Sequence, residues 1–237
     1  MGQDYMDALE SALVKAAANP KVRALVFTAD GEQNFSVGMN LREVAKLMES
    51  PDRLEVMLAQ RQRVLGMIES MGKPCIATLF GHCLGGGLEL PLSCHFRLAA
   101  DKGASIGLPE LELGVIPAWG GTVRLTRCIG KARALDMILR ARKIDGEEAL
   151  RIGLVQSLHP VRELKEAAHA LALELAAMPR QAVAAAMQCV AAVDDSSQSE
   201  ALALERRFVL ECAGSAAQRE GFAAFLEKRP PDFTSLE

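Results

Sequence analysis

Gly81-His82-Cys83-Leu84-Gly85-Gly86-Gly87-Leu88-Glu89-Leu90 sets four glycines and one carboxylate directly after the apolar segment Cys75-Ile76-Ala77-Thr78-Leu79-Phe80. Three consecutive glycines let the backbone turn sharply and approach a ligand with no Cβ in the way. A helix that starts there presents unpaired N–H groups and the positive end of its dipole, which suits a phosphate, a carboxylate or a developing oxyanion. A phosphate-cradling P-loop is excluded, because it ends in Gly-Lys-Ser/Thr and here Gly87 is followed by Leu88-Glu89. The dinucleotide spacing Gly-x-Gly-x-x-Gly is not matched either. The remaining structural alternative is a glycine turn that only packs a helix on a strand. Glu89 argues for chemistry, since an acid between Leu88, Leu90, Pro91 and Leu92 is costly to bury, and burial would raise its pKa into the range useful for proton transfer.

Outward from this stretch, strands and helices alternate. Met6, Leu9, Leu13 and Ala16 predict a helix over 4–18, stopped near Asn19-Pro20, and a strand is expected over 22–28. Phe35-Ser36-Val37-Gly38-Met39-Asn40-Leu41-Arg42-Glu43 then repeats the central geometry, a glycine just before the helical pattern Leu41, Val44, Ala45, Met48, so two turns could converge on one atom. A long helix is expected over 52–71, ended by Lys73-Pro74. The central turn leads into a helix reaching about Cys94, and a strand is expected over 96–100. This order argues for a mainly parallel sheet, with ligands gathering at the carboxyl ends of its strands.

Residues 104–125 break the alternation with glycines and prolines before a helix opening near Trp119 or Gly120. A connection this irregular yet apolar points to function rather than disorder. Glu110 and Glu112 lie in it, and either one of them faces the interior or both are solvated. Beyond Lys131 the pattern is helical, with only 153–157 looking extended, and alanine-rich faces such as 182–192 suit helix packing.

The chain of 237 residues, half of them hydrophobic, is long enough for a full core. A net charge of −3 with scattered basic residues excludes a polybasic patch, and with it nucleic acid as principal partner. Cys75, Cys83, Cys94, Cys128, Cys189 and Cys212 form no Cys-x-x-Cys pair and read as reduced residues of an intracellular protein. No run reaches membrane-spanning length and Met1–Met6 lacks the features of a signal peptide, so the cytoplasm is the expected compartment.

The chain resembles the enoyl-CoA hydratase/isomerase (crotonase) family. The likeness rests on Phe35–Arg42, on Gly81–Leu90, on Pro109–Leu125 and on the ending Glu220–Arg229, and covers essentially the whole chain. It implies an α/β fold, a crotonase-like spiral of ββα units over 1–130 carrying the chemistry, and a helical region over 131–237 that builds a homotrimer or a hexamer of two trimers. It implies that the backbone N–H groups of Met39 and Gly86 form an oxyanion hole for the thioester of an acyl-CoA. Glu89 and Glu110 match the two glutamates that act on one water in hydratases. They stand one residue further apart than the family pattern, and the Ala100–Ala104 loop is the expected place for that residue. Substrate contacts are implied for Val37, Met39, Asn40, Leu41 and Arg42, for Leu84, Gly85 and Gly86, and for Pro109 and Trp119. Phe225 and Lys228 match positions that reach the CoA of a neighbouring subunit.

Departures from the family are also visible. Asn40 stands where aspartate is usual, Met39 is bulkier than the common alanine, and Arg42 replaces a common lysine. Trp119 occupies a position that is often small, as a packing residue or as one that shortens the acyl tunnel. Side chains near Asp52 and Trp119 are expected to set pocket depth. The hairpin and Asn-Arg-Pro segment that usually precede the first helix are absent from this sequence, which would open a sheet edge. The expected function is hydration of a trans-2-enoyl-CoA with no metal or redox cofactor. Isomerisation or decarboxylation of an acyl-CoA is the alternative within the family, and a catalytically silent assembly subunit the alternative outside it.

Overall fold

The computed structural model describes residues 1–236, apart from the side chains of Lys46 and Met48. Helix α1 (Gln3–Ala18) buries Met6 and Leu13. Its end is held by the Lys73 ammonium, which donates to the carbonyls of Ala16, Ala17 and Asn19 at 2.5, 3.2 and 2.9 Å. That places a cation at the negative end of the helix dipole. Strand β1 (Leu25–Phe27) follows, then α2 (Leu41–Met48) and α3 (Pro51–Glu69). Asn40 caps α2, its side chain accepting from the Arg42 N–H at 3.0 Å.

Next come β2 (Cys75–Leu79), β3 (His82–Leu84), α4 (Gly86–Leu92), β4 (Phe96–Ala100) and β5 (Ser105–Gly107). A 3₁₀ turn, Glu110–Leu113, leads to α5 (Gly121–Ile129), α6 (Lys131–Leu139), α7 (Gly146–Arg151) and β6 (Ser157–His159). Helices α8 (Val161–Ala176), α9 (Arg180–Ala192), α10 (Gln198–Cys212) and α11 (Ala216–Glu227) complete the chain, with a short 3₁₀ turn at Thr234–Leu236.

Strands β1, β2, β4 and β6 form one parallel sheet in that order, with Leu25 opposite Cys75, Ile76 opposite Phe96 and Leu98 opposite Ser157. β2 is buried along its whole length, as a parallel strand covered on both faces requires, and this is why its sequence is apolar without alternation. β3 and β5 make a second parallel pair, His82 opposite Ser105. Gly85 ends β3 with φ +56° and ψ −127°, a conformation that a Cβ disfavours, and α4 begins at the next residue.

The parallel sheet matches the expectation from sequence; several element limits do not. β1 covers three residues of the expected 22–28, α4 stops at Leu92, and the extended segment expected at 153–157 becomes a strand at Ser157–His159. β3 and β5 were not anticipated, because three residues carry too little periodicity to separate a strand from a loop. The apolar core also continues past residue 130. α8 lies against β1, β2, β4 and β6, and Leu164, Ala168 and Ala172 join the same buried cluster as β2. α9, α10 and α11 instead expose large apolar side chains, among them Val190, Val209, Leu210, Phe222 and Leu226.

Candidate active site

Glu89 sits in the first turn of α4 and is only 2% exposed. Its Oε1 accepts from the backbone N–H groups of Trp119 at 2.7 Å and Gly121 at 2.8 Å. Burial pushes its carboxyl up to about 7; nearby Glu110 adds to the rise, while the two N–H donors and Arg124 oppose it. Glu110 opens the 3₁₀ turn and is half-buried, and burial raises its pKa as well. Its Oε1 would lie 3.0 Å from a Cβ on Gly85, and its Oε2 is buried with no hydrogen-bond partner. Glu112 is exposed and pairs with Lys143 at 3.0 Å. Of this pair it is Glu110 that turns inward. In the loop between β4 and β5, Asp101–Ala104, Gly103 has φ +76° and a Cβ there would have no atom within 4 Å.

The two glycine turns meet. Phe35 and Ser36 donate to the carbonyls of Phe80 and His82 at 2.9 and 3.0 Å, and the Leu84 N–H returns a bond to Ser36 at 3.0 Å. This ladder seats Gly38 so closely on the central turn that a Cβ there would lie 3.0 Å from the Gly86 nitrogen. Among the described residues, neither the Met39 nor the Gly86 N–H has an acceptor.

Both carboxylates line a cavity of about 630 Å³. Its walls are largely aliphatic, with Leu54, Met57 and Leu58 from α3 and Val44 from α2. Val37, Met39 and Leu41 line it from the first turn, Leu84, Gly85 and Gly86 from the second, and Pro109 and Trp119 from the irregular connection. Asn40 and Arg42 are exposed beside it and are not part of its wall. Phe225 and Lys228 are exposed on and just after α11 and do not reach it within one chain. The expectation that side chains near Asp52 and Trp119 set pocket depth marked this region without naming Leu54, Met57 and Leu58, whose helical spacing puts them on one face. Among the described residues no group of three or more His, Cys, Asp or Glu side chains could hold a metal ion. All six cysteines are free, with Cys75, Cys83 and Cys94 buried.

α3 also fixes the connection that holds Glu89. Gln62 Nε2 donates to the Ala118 carbonyl at 2.9 Å, and Glu69 takes both Nε and Nη2 of Arg124 at 2.8 and 2.7 Å. Arg124 Nη1 donates to the Trp119 carbonyl at 2.7 Å. These contacts hold the segment from 118 to 121, of which Trp119 and Gly121 direct their N–H groups to Glu89.

A parallel spiral with paired acids at the end of its central turn defines an α/β fold of the crotonase class. The model of the enoyl-CoA hydratase/isomerase family matches residues 1–236, and the chain belongs to that family. It is similar to a probable enoyl-CoA hydratase of Bacillus subtilis, 39% identical over 96% of this chain and 88% of that one. It is likewise similar to one of Mycobacterium tuberculosis, 37% identical over 99% of this chain and 89% of the relative. The crystal structure of enoyl-CoA hydratase from Bacillus anthracis superposes with a TM-score of 0.93 at 32% identity, over 98% of this chain and 89% of that one. No described helix is long and apolar enough to cross a membrane.

Proposed function

We propose that the chain adds water across the double bond of a trans-2-enoyl-CoA, giving a 3-hydroxyacyl-CoA. The observation that carries this reading is the pairing of Glu89 and Glu110, both raised above the ordinary carboxylate range, on one apolar cavity beside two amides without acceptors. Two neighbouring carboxyl groups resist double ionisation, so a proton shared between them lets the pair divide base from acid.

In the reaction, ionised Glu89 takes a proton from water as the water oxygen bonds to the β-carbon. The double-bond electrons move toward the thioester oxygen, which receives the N–H groups of Met39 and Gly86. Protonated Glu110 then gives its proton to the α-carbon and the thioester carbonyl re-forms; proton return from Glu89 to Glu110 resets the pair. The amides act on charge that exists only in the transition state, where losing one such donor costs about 2.7–4 kcal/mol. The reading needs no metal or redox cofactor.

Arg42 and Asn40, exposed beside the cavity, suit the phosphates and adenine of CoA. Phe225 and Lys228 would serve a neighbouring copy in a homotrimer or a hexamer of two trimers, a role supported by the apolar side chains exposed on α10 and α11. The test is product analysis by mass after incubation with crotonyl-CoA. A product heavier by one water supports hydration; an ester of unchanged mass with a moved double bond would replace the reading with isomerisation.

A further inference from the structure

One turn beyond the wall residues Met57 and Leu58, α3 buries Arg61 completely, at 0% exposure. Its Nη1 donates to Gln3 Oε1 at 2.9 Å and to Gln60 Oε1, while its Nε and Nη2 are buried without partners. No carboxylate among the described residues pairs with it. Stability does not explain such a residue, since replacing a buried, incompletely satisfied charge by an apolar side chain of similar volume is commonly neutral or favourable. What the guanidinium does meet is an aromatic face. Its carbon lies 5.8 Å from the centroid of the Trp119 ring, within cation–π range.

The Trp119 indole is 5% exposed and forms part of the cavity wall. Its six-membered ring is seated on Gly86, where a Cβ would lie 2.5 Å from Cζ3 and 2.9 Å from Cε3. Guanidinium and glycine backbone thus both fix one ring. We propose that Arg61 is a specificity-determining positioning residue that pins the Trp119 indole against Gly86 and so limits the length of acyl chain the cavity admits. The inference rests on the acyl-CoA reading above. It assigns the cavity to short acyl groups and gives the bulky indole a cause for staying in place.

Trp119 is the single tryptophan of the chain, so its fluorescence reports the contact directly. The experiment compares the unaltered chain with Arg61→Met, which keeps volume, and Arg61→Lys, which keeps charge. It measures acrylamide quenching of the indole and calorimetric affinities for the non-reacting esters butyryl-CoA and decanoyl-CoA. The expected results are a preference for butyryl-CoA in the unaltered chain, a shift toward decanoyl-CoA of roughly tenfold in Arg61→Met with stronger quenching, and recovery of both in Arg61→Lys. Should Arg61→Met not fold, Trp119→Phe is expected to give the same shift in the affinity ratio, and a sharper preference for butyryl-CoA there would overturn the proposal. Unchanged ratio and quenching in a folded Arg61→Met, or a shift that Arg61→Lys does not reverse, overturns the role of Arg61 alone. Absence of binding of either ester by the unaltered chain overturns the acyl-CoA reading itself.

Discussion

The Glu89 carboxylate is tied to the Trp119 backbone, whose N–H donates to Oε1 at 2.7 Å, so the acid of α4 and the connection across the cavity move as one unit. The indole of that same tryptophan covers Gly86, which means one residue orients a carboxylate with its backbone and shapes the cavity with its side chain. The consequences are testable.

Arg124 stabilises this unit from behind, holding the Trp119 carbonyl and favouring the charged form of Glu89. Replacing it by Met is expected to raise the pKa of Glu89 further and to move the acid limb of the kcat/KM profile to higher pH. A pH–rate profile checks this; a lower rate with an unmoved limb would reduce Arg124 to a packing role.

Stability should depend on pH through Glu89. Its folded-state pKa, about 7, lies above the ordinary 4.5, so the protonated acid stabilises the fold fully below pH 4.5 and that contribution fades as pH rises through 7. Glu89→Gln, which cannot ionise, should gain on the unaltered chain by up to roughly 3 kcal/mol between pH 4.5 and 8. Denaturant titrations at several pH values measure the difference, and a gap that does not widen with pH would contradict the buried, raised carboxyl.

Activity has the opposite slope on its acid limb. If ionised Glu89 is the base and protonated Glu110 the acid, kcat/KM should rise with pH through about 7 as the base ionises and fall again once Glu110 loses the proton it must donate. In Glu89→Asp the limb should shift, because the shorter acid loses the reach to Trp119 and Gly121.

Gly86 tolerates no side chain. A methyl group there would press into the Trp119 ring at 2.5 Å, so Gly86→Ala should cost about 1–3 kcal/mol of stability and displace the amide. Gly86→Ala combined with Trp119→Phe should recover part of the stability. Urea unfolding of the single and double variants provides the measurement.

Much of this site was legible in the sequence. The lone acid in the apolar run around Glu89 forecast its burial, and the repeated glycine-before-helix pattern at Gly38 and Gly86 forecast two turns that meet. Long periodic helices such as α3 were equally visible. Arg61 was not, because an arginine inside a helical pattern reads as solvent-facing until the neighbouring helix and loop are in place. The latch from Gln62, Glu69 and Arg124 onto residues 118–121 was hidden for the same reason, since it joins segments far apart in the chain through backbone carbonyls and side-chain geometry. β3 and β5 escaped because each is three residues long.

The most direct measurement is the loss of absorbance of the conjugated enoyl thioester when the purified chain meets crotonyl-CoA, with Glu89→Gln and Glu110→Gln measured beside it. Rapid loss in the unaltered chain, reduced at least about a hundredfold in each variant, is the predicted result. Near-unaltered turnover in both variants would contradict the assignment of the two glutamates, and no loss with the unaltered chain would contradict hydration itself.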